Sequence, residues 1–311
     1  YSTGVCTEGD FNVVFINHNS FLEKEAVYTY TESEAAKNPD FIKGNGHIDG
    51  LFMDVLFQKA VCEYGKLIPR GELPEIVHCQ DASTATLPAF LQQNKSFKKT
   101  KSIVTIHNAG PYYHHEFSSI GEAAWYTGLP TQLLEDSLND KKVEPFLIAA
   151  NAGAYLTTVS EEYANELIDP KNIDITDGLS KIFADKNIPI KGITNGFDFD
   201  RYNPCVKEDS KLPFEFNPEK GDLDGKLKCR KFFIQNIVNT DNFNTNGIKK
   251  FGKLECSSEL TKETFIAYHG RITSQKGIEV LVKAIPAITS LAFVTALLGW
   301  GIPAFNIRFT P

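Results

Sequence analysis

The sequence lacks most of what would place a chain in a membrane or an oxidising compartment. No apolar run approaches the roughly 20 residues that a membrane-spanning helix needs. Cysteine is sparse: Cys6, Cys62, Cys79, Cys205, Cys229 and Cys256 are scattered, with no C-x-x-C pair. That spacing argues against a zinc site or a disulfide framework and fits reduced thiols in a cytoplasmic protein. Basic charge is also in deficit, with 32 Lys and Arg against 39 Asp and Glu and a net charge of −7. With a pI near 5.6, this argues against nucleic acid or an anionic membrane as a partner. The fingerprints G-x-S-x-G, H-E-x-x-H, Walker A and G-x-G-x-x-G are all missing. There is no internal repeat and no low-complexity tract. No methionine opens the chain and no signal peptide is recognisable, so Tyr1 is expected to begin a fragment or a chain without its true start.

What is present is an ordinary globular composition, 42% hydrophobic and 23% charged over 311 residues, long enough for two domains. Phe11 to Asn17 reads as a buried strand, and Thr31 to Gly50 as a polar surface loop or short helix. Leu51, Val55, Leu56, Ala60, Val61 and Leu67 follow helical spacing and predict a long helix from Ile48 to Ile68, ended by Pro69-Arg70-Gly71. Glu75 to Cys79 is a short strand, and Thr84 to Gln92 a helix with Pro88 near its start. Lys101 to His107 is a second clear strand. Tyr112 to Leu129 is aromatic and without clean periodicity. Leu147 to Ala154 predicts a helix running into strand Tyr155 to Val159, after which Ser160 caps a helix from Glu161 to Ile168. Pro189 to Thr194 is another strand, ending at Asn195-Gly196, a turn dipeptide tolerant of positive φ. This alternation predicts an α/β fold with a parallel, doubly wound sheet.

Beyond residue 205 the composition turns polar, apart from a helix-like stretch near Lys226 to Val238. Strand character returns at Thr264 to Tyr268, and Ile278, Val280, Leu281, Ala284 and Ile285 recur at helical spacing. Between them, Arg271 and Lys276 fall on a strand-to-helix turn, the edge of an α/β sheet where anions are bound. Leu291 to Leu298 is a last strand, followed by Gly299-Trp300-Gly301, a fragment of a glycine-rich turn. The expected organisation is a first domain over 1–205, a linker or crossing region over 206–262, and the beginning of a second domain over 263–311.

Other strand ends also carry polar groups: His78 to Asp81, His107-Asn108, and Asn195-Gly196 with Asp198. In a parallel sheet these turns share the carboxyl edge and could converge on one cleft. Taken alone each has a plainer reading, since Asp81 could cap the following helix and a histidine ending a strand is commonly structural. His114-His115-Glu116 suggests metal ligands, but adjacent side chains rarely converge, so no metal site is expected.

Together, His78–Phe90 (HCQDASTATLPAF), Ile103–Gly110 (IVTIHNAG), Leu156–Leu167 (LTTVSEEYANEL), Gly192–Pro204 (GITNGFDFDRYNP) and Gly270–Ile285 (GRITSQKGIEVLVKAI) resemble bacterial glycogen synthases and plant starch synthases. Asn17–Tyr28 is similar to that family's segment after its first long loop. The resemblance implies two Rossmann-like domains of the GT-B type, the second truncated here. It implies transfer of glucose from ADP-glucose, or sometimes UDP-glucose, to the non-reducing end of an α-1,4-glucan, with retention and without a metal or other cofactor. Residue by residue, it implies that Arg271 and Lys276 meet the donor phosphates and that His107 lies beside the transferred glucose. Asp81 and Asn195 would contact the sugar, with Asn108, Gly196 and Gly299 placed on the substrate side with them.

The sequence also departs from the family pattern. Ala82 follows Asp81 where the family has an aromatic residue, the K-x-G-G loop is missing, and so are the glutamate-bearing region and later glycine loop of the second domain. Two other readings therefore stay open at this level: a related retaining transferase with another nucleotide sugar, and a non-catalytic glucan-binding homologue or fragment.

Overall fold

The computed structural model describes residues 2–8, 11–69, 71–238, 264–271, 276–289 and 293–300. Contacts divide the chain into two units, Tyr1–Gly196 and Phe197–Pro311.

In the first unit, β1 (Ser2–Glu8) and β2 (Phe11–Asn17) form an antiparallel ribbon with Val5 opposite Val14. The buried strand predicted over Phe11 to Asn17 is a strand, but Phe11 and Phe15 are exposed. A two-stranded ribbon offers few neighbours to bury against, whatever its β-propensity. Two short helices follow, α1 (Asn19–Leu22) and α2 (Glu32–Lys37). At the start of α2 the Thr31 hydroxyl accepts from the Glu34 backbone N–H, and the Glu34 carboxylate accepts from the Thr31 N–H, closing a capping box. The predicted long helix is α3 (Gly50–Gly65).

The sheet is built by β3 (Ile76–Gln80), β4 (Lys101–Ile106), β7 (Tyr155–Thr158) and β8 (Ile190–Gly192), all parallel and adjacent in that order. Between β3 and β4 a 3₁₀ turn, Ala82–Thr84, leads into α4 (Leu87–Gln93), with Pro88 in its first turn as predicted, and a second 3₁₀ turn, Lys95–Phe97, follows it. Between β4 and β7 lie α5 (Ile120–Thr127), α6 (Thr131–Asp136), the small hairpin β5 (Leu138–Asn139) and β6 (Lys142–Val143), and α7 (Pro145–Asn151). The segment without clean periodicity thus contains a helix. Ser119 caps α5 through the Glu122 N–H, and Gly128 closes it in the left-handed region at φ 71°. After β7 come α8 (Glu161–Leu167) and α9 (Leu179–Asp185). Ser160 caps α8 as expected, its hydroxyl accepting from the Tyr163 N–H at 3.0 Å.

Alternation along the strands decides which face is core. Cys79, Val104, Ile106 and Leu156 are buried on one side, while Ile76, His78, Gln80 and Tyr155 are exposed on the other. Against the buried side pack α4, through Leu87, Phe90 and Leu91, and α7, whose Phe146, Leu147, Ile148 and Ala149 are all fully buried. An all-apolar helix is stable only in such a site, and each large side chain there contributes about 1.5–3 kcal/mol. At β8, a Cβ on Gly192 would meet the Ser160 carbonyl oxygen at 2.4 Å, so glycine is what lets the start of α8 lie against the strand.

In the second unit, α10 (Lys207–Ser210) and α11 (Asp224–Phe233) occupy the polar stretch, α11 passing into a π-helical turn over Ile234–Val238. Strand β9 (Thr264–Arg271), helix α12 (Ile278–Thr289) and strand β10 (Phe293–Trp300) complete it, with β9 and β10 parallel. Among the described residues no helix is long and apolar enough to cross a membrane. Residues 239–263 of the expected crossing region, 272–275 of the basic turn, and 301–311 lie outside the described residues.

Candidate functional site

The carboxyl edge of the first unit's sheet brings together three of the residues singled out by sequence. Asp81 follows β3, and His107 and Asn108 follow β4. Asp81 does not cap the 3₁₀ turn after it. Its Oδ1 instead accepts from the His107 backbone N–H at 2.7 Å and the Asn108 N–H at 3.4 Å, while its own N–H donates to the Thr105 carbonyl at 2.9 Å. The plain capping reading is therefore corrected: the carboxylate fastens the end of β4 to the end of β3. This geometry puts Asp81 at φ 58° and ψ 179°, a region nearly reserved for glycine, at about 1–3 kcal/mol of strain. Residues held this way collect at binding and catalytic sites.

The His107 ring is held as well, with Nε2 at 2.7 Å from the Gln80 Oε1. Asn108 Oδ1 accepts from the Gly110 N–H at 2.8 Å and turns the chain back on itself. A cleft of about 390 Å³ opens here, lined by His107, Asn108 and Gly110 from the loop, Val159 beyond β7, Tyr163 and Glu166 from α8, and Ile175 and Thr176 before α9. The Tyr163 hydroxyl accepts from the Ala109 N–H at 2.9 Å, and burial pushes its phenol above the usual range despite that bond. Sequence reading included Gln80, Tyr163 and Glu166 in its motifs but gave none of them a role in the site. The one available signal was that 163 and 166 share a face of a capped helix.

Behind the loop lies a buried pair. His114 Nδ1 is 2.6 Å from Glu144 Oε2, and its Nε2–H donates to the Ala109 carbonyl at 3.0 Å. Burial opposes charge on His114, but the Glu144 carboxylate outweighs it and holds the ring above its ordinary proton affinity. Burial likewise raises the Glu144 carboxyl. Glu144 also caps α7 through the Phe146 N–H, so the pair ties the His107 loop to the core. His115 turns away, to Asp54 of α3 at 2.7 Å. The adjacent histidines therefore diverge, as expected. Ligand atoms of His114, Glu116 and Glu144 do lie within 4.8 Å of one another, yet Glu116 is paired with Lys142 and His114 is hydrogen-bonded at both nitrogens.

Of the expected residues, His107 and Asn108 line this cleft; Asp81 holds the His107 backbone but is not in the lining, and the others are not brought into it. Asn195 and Gly196 follow β8, exposed and outside the lining. Neither has positive φ, so the tolerance for it that this dipeptide offers is not used here. In the second unit, Arg271 is the last residue of β9 rather than part of a turn, paired in register with Trp300. Its side chain lies outside the described residues. Lys276 is exposed just before α12. Gly299 pairs with Gly270 within β10 instead of lying in a glycine-rich turn.

The family model of the starch synthase catalytic domain matches residues 2–184. The chain belongs to this family. Among curated proteins it is 28% identical over 281 residues to the glycogen synthase of Thermodesulfovibrio yellowstonii, covering 88% of this chain and 48% of that protein. It is 26% identical over 311 residues to glycogen synthase 1 of Geobacter sulfurreducens, covering 96% of this chain and 52% of that protein. The chain thus spans about half the length of the curated relatives it matches. A solved structure, the catalytic domain of starch synthase IV from Arabidopsis thaliana bound to ADP and acarbose, superposes with a TM-score of 0.70 at 22% identity, over 97% of this chain and 54% of that one. The fold of this starch synthase family member is accordingly the α/β GT-B type.

Proposed function

We propose that this chain is part of a glycogen or starch synthase that transfers glucose from ADP-glucose to the non-reducing end of an α-1,4-glucan, with retention at the anomeric carbon. The observation that carries the reading is the Asp81–His107 clamp beside the cleft, in a member of the starch synthase family. His107 would stand beside the transferred glucose. The second carboxylate oxygen of Asp81 would accept from a sugar hydroxyl, with Asn108, Asn195, Gly196 and Gly299 completing the substrate side. Arg271 and Lys276 would hold the donor phosphates. The leaving nucleoside diphosphate gains negative charge in the transition state, and two fixed cations can stabilise it without a metal or other cofactor. The ADP and acarbose in the Arabidopsis structure support a nucleotide donor and a glucan-like acceptor. We place the protein in the cytoplasm on its scattered thiols, Cys62, Cys79, Cys205 and Cys229 being free.

The test is transfer of labelled glucose from ADP-glucose, with UDP-glucose in parallel, into glycogen. His107→Ala should reduce transfer more than it weakens ADP binding measured by calorimetry. Arg271→Ala should cut turnover at least ~10²-fold, the scale for one lost transition-state charge partner. No incorporation from either donor, or full turnover in both variants, would overturn the reading.

A further inference from the structure

Gln80 lies within the His78–Phe90 motif but is given no role by the family resemblance, yet it is the side chain that holds the His107 ring. It ends β3 on the same exposed face as His78, and its backbone is fixed twice by one hydroxyl. The Gln80 N–H donates to Thr84 Oγ1 at 2.7 Å, and the Thr84 hydroxyl reaches the Gln80 carbonyl at 2.7 Å. From this anchored position Oε1 meets His107 Nε2 at 2.7 Å, while the next residue, Asp81, binds the His107 backbone at 2.7 Å. Two consecutive residues thus set one histidine, Asp81 by its main chain and Gln80 by its ring.

The chemistry of that contact is directional. An amide oxygen only accepts, so the ring nitrogen facing it must carry the proton. A neutral imidazole has one N–H, which leaves Nδ1 with the lone pair. A carboxylate in the same place would add a charge, whereas the amide fixes the tautomer without one. We propose that Gln80 is a positioning residue: it holds His107 as the Nε2–H tautomer, so that Nδ1 is the ring's acceptor for a sugar hydroxyl. The sugar part of this statement rests on the transferase reading; the tautomer does not.

Nitrogen-15 NMR of the histidine-labelled chain decides it, because the two ring nitrogens differ widely in shift when protonated or bare. In the wild type at a pH where His107 is neutral, Nε2 should read as protonated and Nδ1 as bare. Gln80→Met keeps length but removes the strong acceptor, and should give averaged shifts from two exchanging tautomers. Gln80→Glu keeps the acceptor and should restore the wild-type pattern. A protonated Nδ1 in the wild type, or identical tautomer populations in wild type and Gln80→Met, would overturn the proposal. In the transfer assay Gln80→Met should lower kcat by about 10-fold with little change in KM for the nucleotide sugar, the pattern of a misoriented group rather than a lost binding contact. A rise in KM alone would overturn the positioning role. A wild type without transfer would refute the synthase reading and leave the spectroscopic result to decide the tautomer.

Discussion

Asp81 offers a perturbation in which strain and hydrogen bonding can be separated. Its carboxylate accepts two backbone N–H groups, a charge-assisted arrangement contributing about 1.5–3 kcal/mol, toward the low end because the side chain is only half-buried. Its backbone, at φ 58° and ψ 179°, costs about 1–3 kcal/mol in any residue with a Cβ. Asp81→Ala loses the bonds and keeps the strain, so it should destabilise by about 1.5–2 kcal/mol. At about 2–4 °C per kcal/mol for a unit of this size, the midpoint should fall by about 3–8 °C. Asp81→Gly loses the same bonds but is released from strain. Glycine's greater freedom in the unfolded chain takes back about 0.5–1 kcal/mol, leaving the variant between about 2 kcal/mol less and about 1 kcal/mol more stable than wild type, and on average about 1 kcal/mol more stable than Asp81→Ala. Calorimetric melting and urea titration of both variants would measure this. Equal destabilisation of Ala and Gly would refute the strain argument, and an unchanged Asp81→Ala would refute the clamp. Because both lack the carboxylate, both should lose glucosyl transfer, which separates the residue's part in activity from its part in stability.

Three further outcomes are expected. The Asp54 hydrogen bond, opposed by burial and aided by the charges of Asp81 and Glu144, raises the proton affinity of His115. A group raised on folding adds stability fully present below its unfolded value, near 6.5, and lost as pH rises through the folded value. The urea-midpoint advantage of wild type over Asp54→Asn should therefore shrink as pH rises from about 6.5 through the raised folded value; a constant advantage would contradict the ion pair. Glu144→Ala strands the buried His114 and should cost about 3–5 kcal/mol in urea unfolding; a loss below about 1 kcal/mol would show that the pair does not hold the loop. Burial pushes the thiols of Cys62 and Cys79 up to about 11 and about 12, so alkylation near pH 8, mapped by mass spectrometry, should spare both in the folded chain and label exposed Cys205; early labelling of Cys79 would contradict its place in the core.

Local pattern by itself determined the parallel α/β framework. Apolar spacing marked α3, the strand runs marked β3, β4, β7 and β8, and Ser160 marked the start of α8, because periodicity and capping act over a few residues. It also marked Asp81, His107 and Asn108 as strand-end groups, and their motifs pointed to the starch synthase family. Local pattern misjudged β2, whose apolar character says nothing of what lies beside it. It passed over α5, whose Ser119 and Gly128 signals were masked by the aromatic run before them. Tertiary structure alone decided what Asp81 does. The choice between capping its own turn and gripping His107 depends on the parallel register that sets Gln80 beside Thr105, a contact no local pattern contains. The same register brings Gln80 to the His107 ring, and the pairing of β4 with β7 brings Tyr163 of α8 to the Ala109 N–H. Sequence supplies such groups one at a time, and pairing between distant strands gives each of them its partner.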